Sequence, residues 1–548
     1  MSEGLIHTTA GNMMSSPLRI IDLLDFGRQQ FPDQEIVSRR LEGDVHRYTY
    51  EACWQRSNQV AHALAKLGVQ PGDCVASLAW NTHRHMELYY GVSGYGAILH
   101  TVNPRLFPEQ IQYVIDHAQD TYIFVDLGFL GILEQIQNAL PTVKGYIVLT
   151  DRQHMPETTL SNVHCYEDLL APHATSFPWP DLHEDQASSL CYTSGTTGNP
   201  KGVLYSHRAM VLHAQATVSA ALLDLRQDDV LLPMVAMYHA SAWGAPYAAP
   251  LAGCKLVLPG AGMDGASMWS LIEAEKVTVG LGVPTIWLTL HNYLSEIDVT
   301  KTPLKRVCVG GAASPLGMVK TYAERYNVYW QPIWGMTETG PLATSLPPTP
   351  ALMALPASER YTLQTTAGKA AFGVIMEIFD ADDQPVPHDG ETSGELRVKG
   401  PWICSQYYKN EDRSAFLQGW LATGDIAVID RQGYMRVVDR KKDVIKSGGE
   451  WISSIEIENI VSAHPSVNEC AVIGVKHEKW DERPLLLVVA NKGVQVTADD
   501  IYKHLQGKIA KWWTPDAVEF VTELPKTGTG KVRKNELREQ WFLHLESK

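Results

Sequence analysis

No run in the 548-residue chain is apolar over the roughly 20 residues a bilayer-crossing helix needs. The best candidate, residues 240–254, is shorter and contains Pro246 and Pro250, so it reads as buried interior. Cysteine is sparse, eight in all (Cys53, Cys74, Cys165, Cys191, Cys254, Cys308, Cys404 and Cys470), and no two form a CxxC pair. That spacing argues against a zinc ribbon or redox pair and suits reduced thiols in a core. Basic residues are the minority: 46 Lys plus Arg against 61 Asp plus Glu give a net charge of −15. Such a balance disfavours nucleic acid and anionic membrane as general partners. Residues 1–17 hold no basic residue and no apolar core, so no targeting peptide is expected. Repeats and low-complexity tracts are absent. A cytoplasmic enzyme or scaffold is expected, with three or four domains by length or one large and one small.

What is present is a grammar of buried strands and helices. A helix is expected near 18–29. Glu35–Arg39 and Val45–Thr49 flank Glu42-Gly43-Asp44 as a hairpin, and Thr49 stands where it can cap a helix with Val60, Leu64 and Leu67 on one face. Short apolar runs follow at 75–80, 97–102, 122–125 and 146–149, then at 255–258, 277–283 and 306–309. Continuous apolar runs alternating with helices predict strands buried on both faces of mostly parallel sheets. The proline-rich stretch 345–358 reads as a loop. From about Asp439 the pattern restarts on a smaller scale. Helices are expected near 455–462 and 498–510, and strands at 469–474, 485–489 and 517–520. The expected architecture is α/β: a large N-terminal domain of several subdomains over 1–439, and a small mobile α+β domain over 440–548.

The densest chemical signal is Tyr192-Thr193-Ser194-Gly195-Thr196-Thr197-Gly198-Asn199-Pro200-Lys201-Gly202. Glycines let backbone N–H groups approach phosphate oxygens, hydroxyls add donors, and Lys201 adds charge. It is not a Walker A loop, because Pro200 stands where the second glycine belongs. Neither GxGxxG after a strand nor GxSxG occurs, so a dinucleotide fold and an α/β-hydrolase lack support. Further strings follow in order: Gly310-Gly311-Ala312, Trp334-Gly335-Met336-Thr337-Glu338, Thr423-Gly424-Asp425, Asp439-Arg440-Lys441-Lys442-Asp443, Lys446-Ser447-Gly448-Gly449-Glu450-Trp451 and Gly528-Thr529-Gly530-Lys531. Together they resemble the adenylate-forming superfamily of acyl-CoA synthetases, luciferases and peptide-synthetase adenylation domains, over nearly the whole chain. The stretches from His100 to Leu106 and from Ser447 to Ile452 are most similar to medium- and long-chain fatty acid–CoA ligases.

The resemblance implies a two-step reaction. A carboxylate attacks the α-phosphate of ATP to give acyl-AMP and pyrophosphate, and the thiol of coenzyme A then displaces AMP. It implies ATP contacts at Thr193, Ser194, Gly195, Thr196, Thr197, Gly198, Lys201, Gly311, Ala312, Trp334, Gly335, Met336, Thr337, Asp425, Arg440 and Lys442. Thr193 and Glu338 match the positions that hold Mg²⁺. Lys531, His239 and Glu338 match catalytic positions. On composition alone Lys531 is an exposed lysine of a basic tail, since Lys526, Arg533, Lys534 and Arg538 crowd round it. His239 alone reads as a core histidine and Trp243 as simple packing, whereas the resemblance makes Trp243 an aromatic gate between the fatty-acid and coenzyme A channels. Coenzyme A is expected at Ala240, Trp243, Lys446, Gly448, Gly449 and Trp451, and a hinge at Asp439. The acyl pocket is expected within 234–253. The substrate is a small carboxylic acid: medium- or long-chain aliphatic, with methylthio-alkanoic, aryl-alkanoic and steroid side-chain acids as alternatives. An acyl-AMP ligase that loads a carrier protein is the other alternative. The resemblance leaves room for a homodimer. Residues 362–366 are less basic than the corresponding positions of relatives, which weakens any phosphate contact there.

Overall fold

The computed structural model describes residues 11–193, 199–447, 450–491, 493–526, 532–542 and 544, with the side chains of residues 450 and 451 outside the description. Two large sheets carry the first two-thirds of the chain. One has seven strands in the order Val163–Cys165, Gly145–Val148, Tyr122–Val125, Cys74–Leu78, Ile98–Thr101, Ala187–Tyr192 and Gly202–Ser206. All neighbours are parallel except the last pair. The other has nine strands, with Tyr329–Gly335, Arg306–Val309, Val279–Gly282, Val230–Pro233, Lys255–Leu258 and Glu35–Arg39 running parallel through its middle. Antiparallel strands finish both edges, including the expected hairpin strand Val45–Thr49. The apolar runs form these strands because both faces are covered: Val75, Ile123, Leu231, Leu281 and Val307 are all fully buried.

The helices Ile20–Gln30, Tyr50–Leu67, His83–Tyr95, His207–Val218 and Ala245–Ala252 share one apolar core with both sheets. Thr49 caps Tyr50–Leu67 by accepting from the Ala52 amide, and Gly68 closes it in a left-handed conformation. His83–Tyr95 is buried from His83 through Gly94, although it carries charge. Its polar groups therefore need internal partners. Arg84 donates to Glu167 at 2.8 Å and Glu42 at 2.6 Å, and Glu87 accepts from Arg56 at 2.7 Å and Tyr166 at 2.6 Å. Gly91 lets this helix approach its neighbour, since a Cβ there would meet Val60 Cβ at 2.6 Å.

A third, antiparallel sheet follows, built from Ile375–Phe379, Gly394–Lys399, Phe416–Leu417, Trp420–Ile429 and Met435–Arg440. Sequence reading assigns no strands here, because charged residues such as Glu377, Glu395, Arg397, Asp425 and Arg436 interrupt the apolar runs. The expected loop at 345–358 is corrected: Pro350–Met353 and Ala357–Leu363 are helical. Pro350 occupies the first helical turn and Thr349 caps it, a position where proline favours a helix because no amide is needed there. The C-terminal part holds strands Ile445–Ser447, Glu450–Ile452, Val467–His477, Asp481–Ala490 and Ala517–Phe520 in one mixed sheet with helices Ser454–Ser462, Ala498–Leu505 and Lys534–Trp541. The helix expected over 498–510 stops at Leu505, where Gln506 leaves helical angles and Gly507 turns left-handed.

All eight cysteines are free thiols, six of them buried. Burial pushes the thiols of Cys53, Cys74, Cys254, Cys308 and Cys470 up to about 12. No described helix is long and apolar enough to cross a membrane.

The two parts are tied at Asp439. It is fully buried in Met435–Arg440, yet its Oδ2 accepts from the Ser454 amide at 2.6 Å, at the start of the next helix. Beside it, Lys534 Nζ donates to Ser454 Oγ at 2.6 Å and pairs with Glu458 at 2.7 Å. Burial pulls the Lys534 pKa down, and Glu458 and Asp439 more than offset it, so the group sits above its ordinary value and stays charged. Lys534→Ala leaves two carboxylates without their cation and is expected to destabilise this junction by about 3 kcal/mol, read as an earlier unfolding transition in denaturant.

Candidate active site

Several of the implied ligand residues leave the carboxyl ends of parallel strands, where α/β sheets bind ligands. Thr193 follows Ala187–Tyr192, Gly311 and Ala312 follow Arg306–Val309, and His239 lies beyond Val230–Pro233. Trp334 and Gly335 end Tyr329–Gly335, and Met336 leads into the turn Thr337–Thr339. Only glycine fits at 335, because a Cβ would stand 1.9 Å from Pro341 O. The base of the hydroxyl-glycine loop is closed: Thr193 N donates to Lys201 O at 2.9 Å and Lys201 N to Thr193 Oγ1 at 3.4 Å, continuing the pairing of Tyr192 with Gly202. Ser194, Gly195, Thr196, Thr197 and Gly198 lie outside the described residues, as do Gly448, Gly449 and Lys531.

Two groups of side chains converge. In the first, the Glu338 carboxylate is buried and accepts from Tyr407 Oη at 2.8 Å. Lys201 Nζ stands 4.9 Å from the centre of the Tyr407 ring and pairs with Asp412 at 3.1 Å. Tyr205 Oη donates to Thr337 O at 2.6 Å and Cys404 N to Glu338 O at 2.9 Å, so the turn that carries Glu338 is held from two sides. Burial pushes the Glu338 carboxyl above its ordinary range, and the Tyr407 hydroxyl pulls part of the way back. The buried Glu338 carboxylate and the Thr193 hydroxyl are oxygen donors of the hard type that Mg²⁺ takes.

The second group joins Trp334, Asp425 and Arg440. Asp425 and Arg440 face each other across adjacent strands, and Arg440 Nε lies 3.0 Å from Asp425 Oδ1. Trp334 Nε1 donates to Asp425 Oδ2 at 3.1 Å. Arg440 and Lys201 both pull on the Glu338 charge, which places the two groups in one electrostatic neighbourhood. Gly311 is left-handed and, with Ala312, exposed. Lys442 is exposed at the surface, and partial desolvation of its amine lowers its pKa. Lys446 is exposed and pairs by strand register with Trp451.

His239 is half-buried and begins an unusual stretch. Ala240, Ser241, Ala242 and Trp243 have φ of 43°, 51°, 47° and 58°, and Gly244 continues the run at 83°. A left-handed residue with a Cβ costs about 1–2 kcal/mol. The surrounding structure must therefore impose this turn. Trp243 is 8% exposed, packed in the shared core.

Sequence reasoning missed Tyr407, Tyr205 and Asp412. Tyr407 and Glu338 are 69 positions apart, and nothing in their local patterns joins them. Among the described residues one cluster has metal-ligand spacing, Glu42 with Asp151 and His154. It shares no residue with this site, and Arg84 and Arg40 already pair with its carboxylates.

Parallel strand ends, a hydroxyl-glycine loop with a lysine, and a buried glutamate define a nucleotide-dependent acyl-activating enzyme. Residues 26–408 match the model of the AMP-binding enzyme family and residues 456–531 that of its C-terminal domain, so the chain belongs to this family. It is 44% identical to the 3-methylmercaptopropionyl-CoA ligase of Ruegeria lacuscaerulensis over 97% of this chain and 98% of that protein. It is 43% identical to the medium-chain-fatty-acid–CoA ligase of Ectopseudomonas oleovorans, over 97% of each chain. The long-chain-fatty-acid–CoA ligase of Thermus thermophilus is also 43% identical, over 96% of each. Among solved structures, the anthranilate CoA ligase AuaEII in complex with anthranoyl-AMP superposes with a TM-score of 0.85 at 27% identity, over 97% of this chain and 99% of that one. ATP-bound MatB from Rhodopseudomonas palustris gives 0.78 at 25%, over 95% and 99%.

Proposed function

We propose that the chain is an ATP-dependent acid–CoA ligase that converts a medium- or long-chain aliphatic carboxylic acid, through acyl-AMP, to acyl-CoA, AMP and pyrophosphate. The observation that carries this reading is the buried Glu338, held by Tyr407 next to Lys201, in a chain matched end to end by CoA ligases. Adenylation brings two anions together, so positive charge and backbone donors must offset their repulsion. Lys201 and the loop from Thr193 to Gly198 would hold the β- and γ-phosphates. Trp334 would stack on adenine, and Asp425 with Arg440 would take the ribose. Gly311, Ala312, Gly335, Met336 and Thr337 would line the nucleotide, with Lys442 a further contact. Glu338 and Thr193 would hold Mg²⁺, which when bound supplies charge neutralisation at the phosphates. Lys531 would contact the α-phosphate and the substrate carboxylate, with His239 bordering the carboxylate.

The domains, 1–439 and 440–548, meet at the hinge Asp439, about which the small domain would turn between the two half-reactions. Ala240, Trp243, Lys446, Gly448, Gly449 and Trp451 would then meet coenzyme A. Trp334→Ala is expected to raise KM for ATP about tenfold with a smaller change in kcat, since one stacked base is worth about 1–3 kcal/mol. A steady-state ATP titration reads this.

The similarity to the Ruegeria enzyme favours a second substrate reading, a methylthio-alkanoic acid. A pyrophosphate-release screen over aliphatic acids of graded length, 3-methylmercaptopropionate and aryl acids, with ATP and coenzyme A, separates the two. No release with any acid would overturn the function. Acyl-AMP that accumulates despite coenzyme A would point instead to a carrier-protein ligase.

A further inference from the structure

The left-handed turn Ala240–Gly244 has few bonds of its own, Ala242 N donating to Ala236 O and His239 O at 3.2 Å, and three buried side chains outside every motif tie down the backbone around it. Asn81 Nδ2 donates to Pro233 O at 2.9 Å and Val235 O at 2.8 Å, and its Oδ1 accepts from Met237 N at 2.7 Å. Tyr89 Oη donates to Met237 O at 2.5 Å, on the near side of the turn. Tyr90 Oη donates to Pro246 O at 2.7 Å, just beyond it. Asn81 is 2% exposed and both tyrosines are fully buried. They are anchored independently of the turn. Tyr89 and Tyr90 belong to the buried helix His83–Tyr95, and Asn81 O accepts from Gly260 N at 3.0 Å.

We propose that Asn81, Tyr89 and Tyr90 are positioning residues, a buried clamp that keeps Ala240–Gly244 left-handed and thereby sets where His239 and Trp243 stand in acyl transfer. The proposal rests on the reading of 239–243 as part of the acyl and coenzyme A site. A run of four strained residues relaxes if its flanks are released, so the clamp acts on geometry and not on nucleotide affinity. A displacement of about 1 Å at a reacting centre costs about 10²-fold in rate.

The test compares Tyr89→Phe with Tyr322→Phe. Tyr322 is also buried and donates to a backbone carbonyl, Trp287 O at 2.7 Å, in a different core. Acyl-CoA formation with the acid found in the screen, KM for ATP, thermal stability, and hydrogen exchange of the peptide 234–248 are measured for both. Tyr89→Phe is expected to lower kcat about tenfold, hold KM for ATP within about twofold, and speed exchange across 234–248; Asn81→Ala does the same more strongly, about 10²-fold. Tyr322→Phe is expected to lower thermal stability comparably while sparing both kcat and that peptide. The proposal is overturned if the two tyrosine variants lose activity only in step with stability, or if exchange at 234–248 is unchanged in Tyr89→Phe. If the wild-type chain makes no acyl-CoA from any acid, the functional reading fails, and the exchange comparison still decides the clamp.

Discussion

Lys531→Ala is expected to lower pyrophosphate release by about 10³-fold, the scale on which a charge placed at a transferring phosphoryl group contributes. The basic residues around it offer no substitute, because each has a carboxylate of its own. Lys526 pairs with Glu469, Arg533 with Glu536, Lys534 with Glu458 and Arg538 with Asp443. The cluster that made Lys531 look like one cation of a solvated tail is therefore a set of paired charges. Thioester formation from synthetic acyl-AMP and coenzyme A is expected to stay within a few-fold of wild type, because the assigned task of Lys531 belongs to the first half-reaction. Equal loss of both half-reactions would count against that assignment.

The second large effect is expected from Glu338→Gln: about a 10²- to 10³-fold fall in adenylation, with no loss of thermal stability. Burial raises the folded-state pKa of Glu338, so the folded chain holds its proton more readily than the unfolded one. Stability from this group then declines as pH rises from the ordinary carboxylate range through the raised value. Glutamine keeps an oxygen to accept from Tyr407 and removes the buried charge. The variant is therefore expected to unfold at the same temperature as wild type or higher at neutral pH, while its Mg²⁺ requirement shifts to higher concentration. A thermal melt alongside a Mg²⁺ titration of the rate separates this from simple damage.

The parallel sheets were legible because strands covered on both faces must be apolar throughout, as at 122–125 and 306–309. The hairpin and the helix capped by Thr49 were legible from turn and cap chemistry. The antiparallel sheet over 375–440 was not, since charged residues such as Glu377, Glu395, Arg397 and Asp425 interrupt its strands. Proline count alone misread 345–358, where the position of Pro350 mattered more than its identity. At the site, motifs gave Glu338, Asp425 and Arg440, and strand register pairs the last two. Tyr407, Asn81 and Tyr89 reach distant backbone or carboxylate through a few hydrogen bonds, and tertiary contacts of that kind leave no periodic trace in a sequence.

The covered thiols open a practical route to testing whether the C-terminal part turns about Asp439 as proposed. With six cysteines buried and most thiols held in their protonated form, maleimide dyes are expected to ignore the native set under brief labelling. One exposed cysteine on either side of Asp439, by Lys144→Cys and Lys503→Cys, then gives a donor–acceptor pair on an otherwise silent background. Energy transfer between the dyes reads the inter-domain distance directly as ATP, acid and coenzyme A are added in turn.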